Sequence, residues 1–248
     1  MSDGLYSTPA QLDQLAHLVQ GYLRLPFSNG LLPGQFMESV IALIKSGKVL
    51  RTYDFVDVIN SDTRVGWQVK CTKESTPVTW KRAKIPNAAM LIEESRSSAA
   101  KTQELGQKIV DFCNQHALNS LEKYSLERIG YCRVVVRKND ILYFEREILS
   151  PLVPRVFEPA KFRWEWSERK RSSSKEMLPA LHGIHEESGE KWFAAHILGE
   201  NQLHFSGEKR WWPTEDSVLP VATVPLPSES ERIDFDRLLA WFAKFSDD

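Results

Sequence analysis

Three polar side chains in the stretch 53–73 stand at spacings that suit chemistry. Asp57 lies in the apolar run 55–59, and Gln68 and Lys70 lie in the run 65–71. The runs flank a polar turn holding Asn60, Ser61 and Asp62. β-Branched and aromatic runs broken in this way read as a β-hairpin. Gln68 and Lys70 are two residues apart, so both side chains leave the same face of their strand. An acid, an amide and an ammonium aimed into one hollow are not core chemistry, because burying any of them unpaired is costly. That cost is tolerable where a metal ion and a phosphate sit among them.

The elements that must hold this hairpin follow from local patterns. Thr8 and Pro9, followed by Leu12, Leu15, Val19 and Leu23, predict a capped amphipathic helix with Pro9 at its first position. A second helix is expected over about 35–45, with Phe36, Val40, Leu43 and Ile44 inward and Gly47 ending it. Residues 87–118 read as mainly helical, and Leu105, Ile109, Phe112, Cys113 and His116 form a core face. His116 reads as a packed or surface histidine rather than a base. Residues 130–137 read as a strand, Asn139 and Asp140 as a turn, and 141–144 as the start of another strand. Pro151, Pro154 and Pro159 punctuate a connection, so a boundary is expected near 150. Beyond it come strand-like runs at 161–166, 192–198 and 201–205, and an amphipathic C-terminal helix marked by Ile233, Leu238, Trp241, Phe242 and Phe245.

The chain has 248 residues and a formal net charge of −1, enough length for one large domain or two small ones. Near-neutrality counts against a general nucleic-acid coat protein, which would be basic. It leaves room for a protein with acids at its centre and cations along a groove. No apolar run approaches the roughly 20 residues of a membrane span, and no secretory signal is visible. Three scattered cysteines argue against disulfides and zinc and suit a reducing cytoplasm.

The hairpin residues resemble the PD-(D/E)XK nuclease superfamily, which includes most type II restriction endonucleases and several repair nucleases. That superfamily places an acid at the end of one strand and an acid-X-Lys triplet on the neighbouring strand. Here Asp57 matches the acid and Gln68-Val69-Lys70 the triplet. Val56 stands where the motif has proline, and Gln68 resembles the Gln-X-Lys variant of the Mrr-like branch. The resemblance covers about residues 30–150. It implies an α/β fold with a restriction-endonuclease-like core, a mixed central sheet flanked by helices, over residues 1–150. A β-rich subdomain for DNA recognition and dimerisation would follow over 151–248. It implies Mg²⁺ held by Asp57, the Gln68 amide oxygen and the Val69 carbonyl, with Asp54 as runner-up acid. Glu38, on the helix before the hairpin, would complete the site; otherwise it is a solvated helix glutamate. Lys70 would orient or help deprotonate the attacking water, or stabilise the phosphorane.

Cations near this site are candidate DNA contacts. Lys73, Lys81, Arg82 and Lys84 surround Trp80 directly after the triplet, a composition that suits a phosphate track. The alternative is a solvated loop anchored by Trp80. Arg163, the serine-rich loop with Arg169, Lys170 and Arg171, and Lys209 with Arg210 extend the set into the second half. His182, His185, His196 and His204 fit none of the usual zinc spacings, which weakens a histidine-based ββα-metal nuclease. No ATPase phosphate loop is present, so this chain would not fuel its own cleavage. The expected function is a Mg²⁺-dependent type II restriction endonuclease cutting double-stranded DNA as a homodimer. The alternatives are a structure-specific or repair nuclease, a nuclease subunit of a defence complex, a catalytically degenerate DNA-binding module, and an α/β protein unrelated to nucleic acid.

Overall fold

A computed structural model describes residues 4–82, 85–168, 170–171, 176–198, 201–214 and 216–244. The first helix, α1 (Pro9–Arg24), starts where its cap requires. Thr8 Oγ1 accepts the Gln11 amide at 3.3 Å, and Gln11 Oε1 accepts the Thr8 amide at 2.9 Å, with Pro9 opening the helix. The second helix, α2 (Gly34–Ile44), buries Met37, Val40, Ile41 and Ile44, an i, i+3, i+4, i+7 stripe. Leu43 was expected to point inward, but it lies off this stripe and is 68 % exposed. Phe36 instead stacks on Tyr22 of α1 with ring centroids 4.1 Å apart.

Next come β1 (Lys48–Val49), β2 (Val58–Asn60), β3 (Val65–Lys73) and β4 (Val78–Arg82). Helices α3 (Ala88–Ser95) and α4 (Ala99–Lys123) precede β5 (Arg128–Val136) and β6 (Asp140–Leu149). The second half adds β7 (Phe162–Trp166), the short pair β8 (Lys170–Arg171) and β9 (Glu176–Met177), then β10 (Leu181–His185), β11 (Lys191–His196) and β12 (Gln202–Phe205). β13 (Val221–Pro225) and α5 (Phe235–Ala243) close the described chain.

The fold is mixed α/β. A six-stranded sheet runs in the order β1-β2-β3-β5-β6-β13, with β3 and β5 parallel and every other neighbouring pair antiparallel. A five-stranded antiparallel sheet runs β4-β12-β11-β10-β7. The halves of the chain exchange strands: β4 lies at the edge of the second sheet and β13 at the edge of the first.

The central sheet buries both faces. One core packs it against α1 and α2, through residues such as Leu15, Val19, Ile41, Trp67 and Val69. The other runs without a break through α4 into the second sheet, through Phe55, Trp80, Ile109, Tyr131, Phe193 and Phe205. Helix α4 lies very close to β7 because Gly106 faces Trp164. A Cβ at Gly106 would stand 2.1 Å from the indole ring. No helix among the described residues is long and apolar enough to cross a membrane.

Candidate active site

The hairpin forms as its residues dictate. Asn60 Oδ1 accepts the amides of Asp62 and Thr63 at 2.9 and 3.0 Å, which folds the chain back into β3. The register pairs Val58 with Trp67 and Asn60 with Val65. β3 then alternates. Trp67 and Val69 enter the α1–α2 core, while Gln68 and Lys70 leave on the opposite face.

Asp57 is not inside β2, as expected, but immediately before it. Its amide donates to the Trp67 carbonyl at 2.8 Å. Its Oδ2 accepts the Val69 amide at 2.8 Å, so the side chain continues the ladder where the strand has ended. Its other oxygen has no partner among the described residues. A strand residue's N–H and C=O point to the same side. The Val69 carbonyl therefore points toward Asp57 too. Burial pushes the Asp57 carboxyl above the usual carboxylate range, against the opposing pull of Lys70, the Val69 amide and Lys81.

Asp57, Gln68 and Lys70 line one cavity of about 620 Å³, together with Lys81, Arg82, Trp80, Phe112 and His116. Gln68 is 1 % exposed, and its Oε1 has no hydrogen-bond partner. An unsatisfied buried acceptor is expensive, on the order of 1–3 kcal/mol. Lys70 is half-buried. Glu38 of α2 approaches from the other side of Asp57, and the two line a second cavity of about 730 Å³. The two cavities have Thr52, Tyr53 and Asp57 in common. Burial and then the Asp57 charge raise the Glu38 carboxyl, while Lys70 lowers it. Glu38 is thus half-buried and shares this second cavity with Asp57.

Asp54 lines the same cavity, but its carboxylate is engaged at the end of α4. Its Oδ2 accepts from Lys123 Nζ at 2.8 Å and Tyr124 OH at 2.5 Å, at the end of α4. Burial alone would raise its carboxyl, but hydrogen bonds from Lys123, Thr52 and Tyr124 outweigh that and hold it well below the usual range. With two donors on one oxygen, Asp54 is the weaker candidate ligand beside Asp57.

The candidate DNA contacts divide. Trp80 is 1 % exposed and packs edge-on against Phe55, Phe157, Phe205 and Trp211, so it is a core residue of β4 and offers no ring face to a strand. Lys81 lies in the cavity, where Nζ donates to the Tyr53 and Asp54 carbonyls at 2.5 and 2.8 Å. Burial, and then the Lys70 charge, lower its ammonium to about 8. Arg82 is exposed at the same cavity, and Lys73 is exposed at the end of β3. Arg163 is tied to Glu165 at 2.6 Å and Arg210 to Glu190 at 2.6 Å. Lys209 stands 6.0 Å from the Trp212 ring centroid. Lys84 and Arg169 lie outside the described residues, and of Lys170 and Arg171 only the backbone is described.

Two groups escaped sequence reasoning. Helical spacing puts Phe112 on a core face and reads His116 as packed or on the surface, yet both are half-buried and line the cavity. Arg133 is fully buried beneath the site. Its Nε bonds Glu208 at 2.7 Å and its Nη2 bonds Thr72 at 2.9 Å, which pins residues 207–211 to the central sheet. Among the described residues the histidines of the second half belong to no cluster of three possible metal ligands. His185 stacks on Trp192 at 4.1 Å, and among the described residues no three His, Cys, Asp or Glu side chains are placed to hold a metal together. The donors available beside Asp57 are therefore a mixed set: the Asp57 and Glu38 carboxylates, Gln68 Oε1 and the Val69 carbonyl. All are oxygens, as Mg²⁺ prefers. The orphaned Gln68 acceptor is what an oxygen-seeking cation would satisfy.

No family model, curated protein or solved structure matches the chain.

Proposed function

We propose that the chain is a Mg²⁺-dependent DNA endonuclease built on a restriction-endonuclease-like core and related to the PD-(D/E)XK superfamily through its Gln-X-Lys variant. One observation carries the reading. The hairpin turns Asp57, Gln68 and Lys70 into a single cavity while the buried Gln68 oxygen accepts no hydrogen bond. Asp57, Gln68 Oε1, the Val69 carbonyl and Glu38 would hold the ion. A Mg²⁺ ion bound there would supply Lewis acidity to the phosphoryl group and to the attacking water. Lys70, two residues from Gln68 on the same face, orients that water and offsets charge developing on the phosphoryl oxygens. Lys81 and Arg82 bring further positive charge to the cavity and hold the phosphate backbone in place.

The specific form is a type II restriction enzyme cutting a palindromic site as a homodimer, since such a site shares the two-fold symmetry of its protein. The uncharged Gln68 favours one second reading: a DNA-binding module that has lost cleavage.

The test is incubation of plasmid and phage DNA with Mg²⁺ and either the wild type or Lys70→Ala. Discrete fragments from the wild type, reduced at least about 100-fold in the variant, are expected. A smear lost in the variant would keep the nuclease and remove the restriction enzyme. Cleavage that survives Lys70→Ala contradicts the proposal. Salt-sensitive binding without cleavage by either protein moves the assignment to the binding module.

A further inference from the structure

The cavity at Asp57 is larger than a phosphate requires. Its volume of about 620 Å³ lies among pockets that enclose a small organic molecule, roughly 300–1,000 Å³. Part of its wall is aromatic. Phe112 and His116 lie one turn apart on α4, with ring centroids 5.8 Å apart, and neither is sealed in the core. Burial, with the Lys81 charge adding to it, lowers the His116 imidazole to about 4. At neutral pH the ring is uncharged and carries one donor and one acceptor.

An aromatic wall and a neutral imidazole are of little use to a phosphate. They match a planar heterocycle with hydrogen-bonding edges. We propose that this recess takes one unpaired nucleobase beside the scissile phosphate. The substrate is then DNA with a nucleotide outside the double-helical stack, either swung out of the duplex or already single-stranded. The inference rests on the endonuclease reading of the same site. Phe112 and His116 offer ring surface for stacking, and the half-buried imidazole meets the base edge. A base still paired within a duplex cannot enter a recess walled by α4 and β4.

The test begins by mapping a cleavage position with the wild type. Binding of the Lys70→Ala protein is then measured to three duplexes spanning that position: fully matched, mismatched at the nucleotide flanking the scissile bond, and abasic there. A mismatch removes the cost of unpairing, and an abasic site removes the base, so the two should move affinity in opposite directions. The expected result is mismatch binding roughly tenfold tighter than the match and abasic binding roughly tenfold weaker than the mismatch. Both differences should collapse when Phe112→Leu and His116→Leu are added, changes that retain apolar bulk. A wild type that cleaves, paired with equal affinity for all three duplexes, overturns the base pocket and leaves the nuclease standing. A wild type that neither binds nor cleaves DNA removes both. Comparing cleavage of the single strand and the matched duplex tells the two sources apart: cleavage of the single strand alone means the base arrives unpaired, and cleavage of both means it is swung out.

Discussion

Glu145 and Asp57 are both carboxylates set near a lysine at the central sheet, on opposite faces. Glu145 is enclosed by donors. Ser7 offers its amide and hydroxyl at 2.6 Å each, Lys45 Nζ stands 3.1 Å away, and the Tyr143 hydroxyl donates at 2.5 Å. Every group in that cluster is paired, and it stitches the segment before α1, the end of α2 and β6 together. Asp57 has one amide, and the neighbouring Gln68 oxygen has none. Buried polar groups that satisfy one another hold a fold together. Buried polar groups left unpaired cost stability, and the unpaired Gln68 oxygen belongs to a residue that shares a cavity with Asp57 and Lys70. The difference sets a closed polar cluster apart from an open one within one molecule.

The largest effect should come from breaking the closed cluster. Glu145→Gln leaves the Lys45 ammonium buried without a counter-charge, and urea unfolding should show a loss of about 3–5 kcal/mol. Cleavage by the protein that remains folded should be unchanged. A loss below about 1 kcal/mol would mean that the cluster is not the strut described here.

A smaller effect separates the acids on the other face by pH. The folded-state carboxyl of Asp57 is raised, so the folded protein holds this proton more tightly than the unfolded chain. Its contribution to stability therefore falls as pH rises through the carboxylate range. Asp54 has the opposite sign. Its folded value is depressed, so its contribution is present above the unfolded value and is lost as pH falls through the acid range. Unfolding curves from about pH 3 to about pH 7 should show Asp57→Asn gaining stability relative to wild type toward neutral pH. Asp54→Asn should lose stability there and converge with wild type in acid. The same sign for both variants would contradict the division between them.

The smallest effect concerns that Asp54 tie itself. Lys123 is 54 % exposed, so Lys123→Ala should cost no more than about 1 kcal/mol and leave cleavage intact. A hundredfold loss of cleavage would put Asp54 in the metal set.

What could be read from the sequence was local. The Thr8 cap, the Asn60 turn and the alternation that turns Gln68 and Lys70 to one face are set by residues within a few positions of one another. Asp54 could not be placed because its partners, Lys123 and Tyr124, lie some seventy residues away. Trp80 was misread because the cations around it suggested a track. The period-two pattern of Val78 and Trp80 inward, Thr79 outward, was present but pairs with β12 in the second half. The strand exchange of β4 and β13 is long-range pairing that local propensity does not carry. Phe112 and His116 follow helical spacing like their core neighbours, and only the position of the cavity distinguishes them.

Gln68→Leu tests the contrast between closed and open faces most directly. The account predicts a protein that unfolds at higher urea, by about 1–2 kcal/mol, because an orphaned buried acceptor has been removed, and that cleaves DNA at least about 100-fold more slowly. A variant less stable than the wild type, or one that cleaves as before, would contradict it.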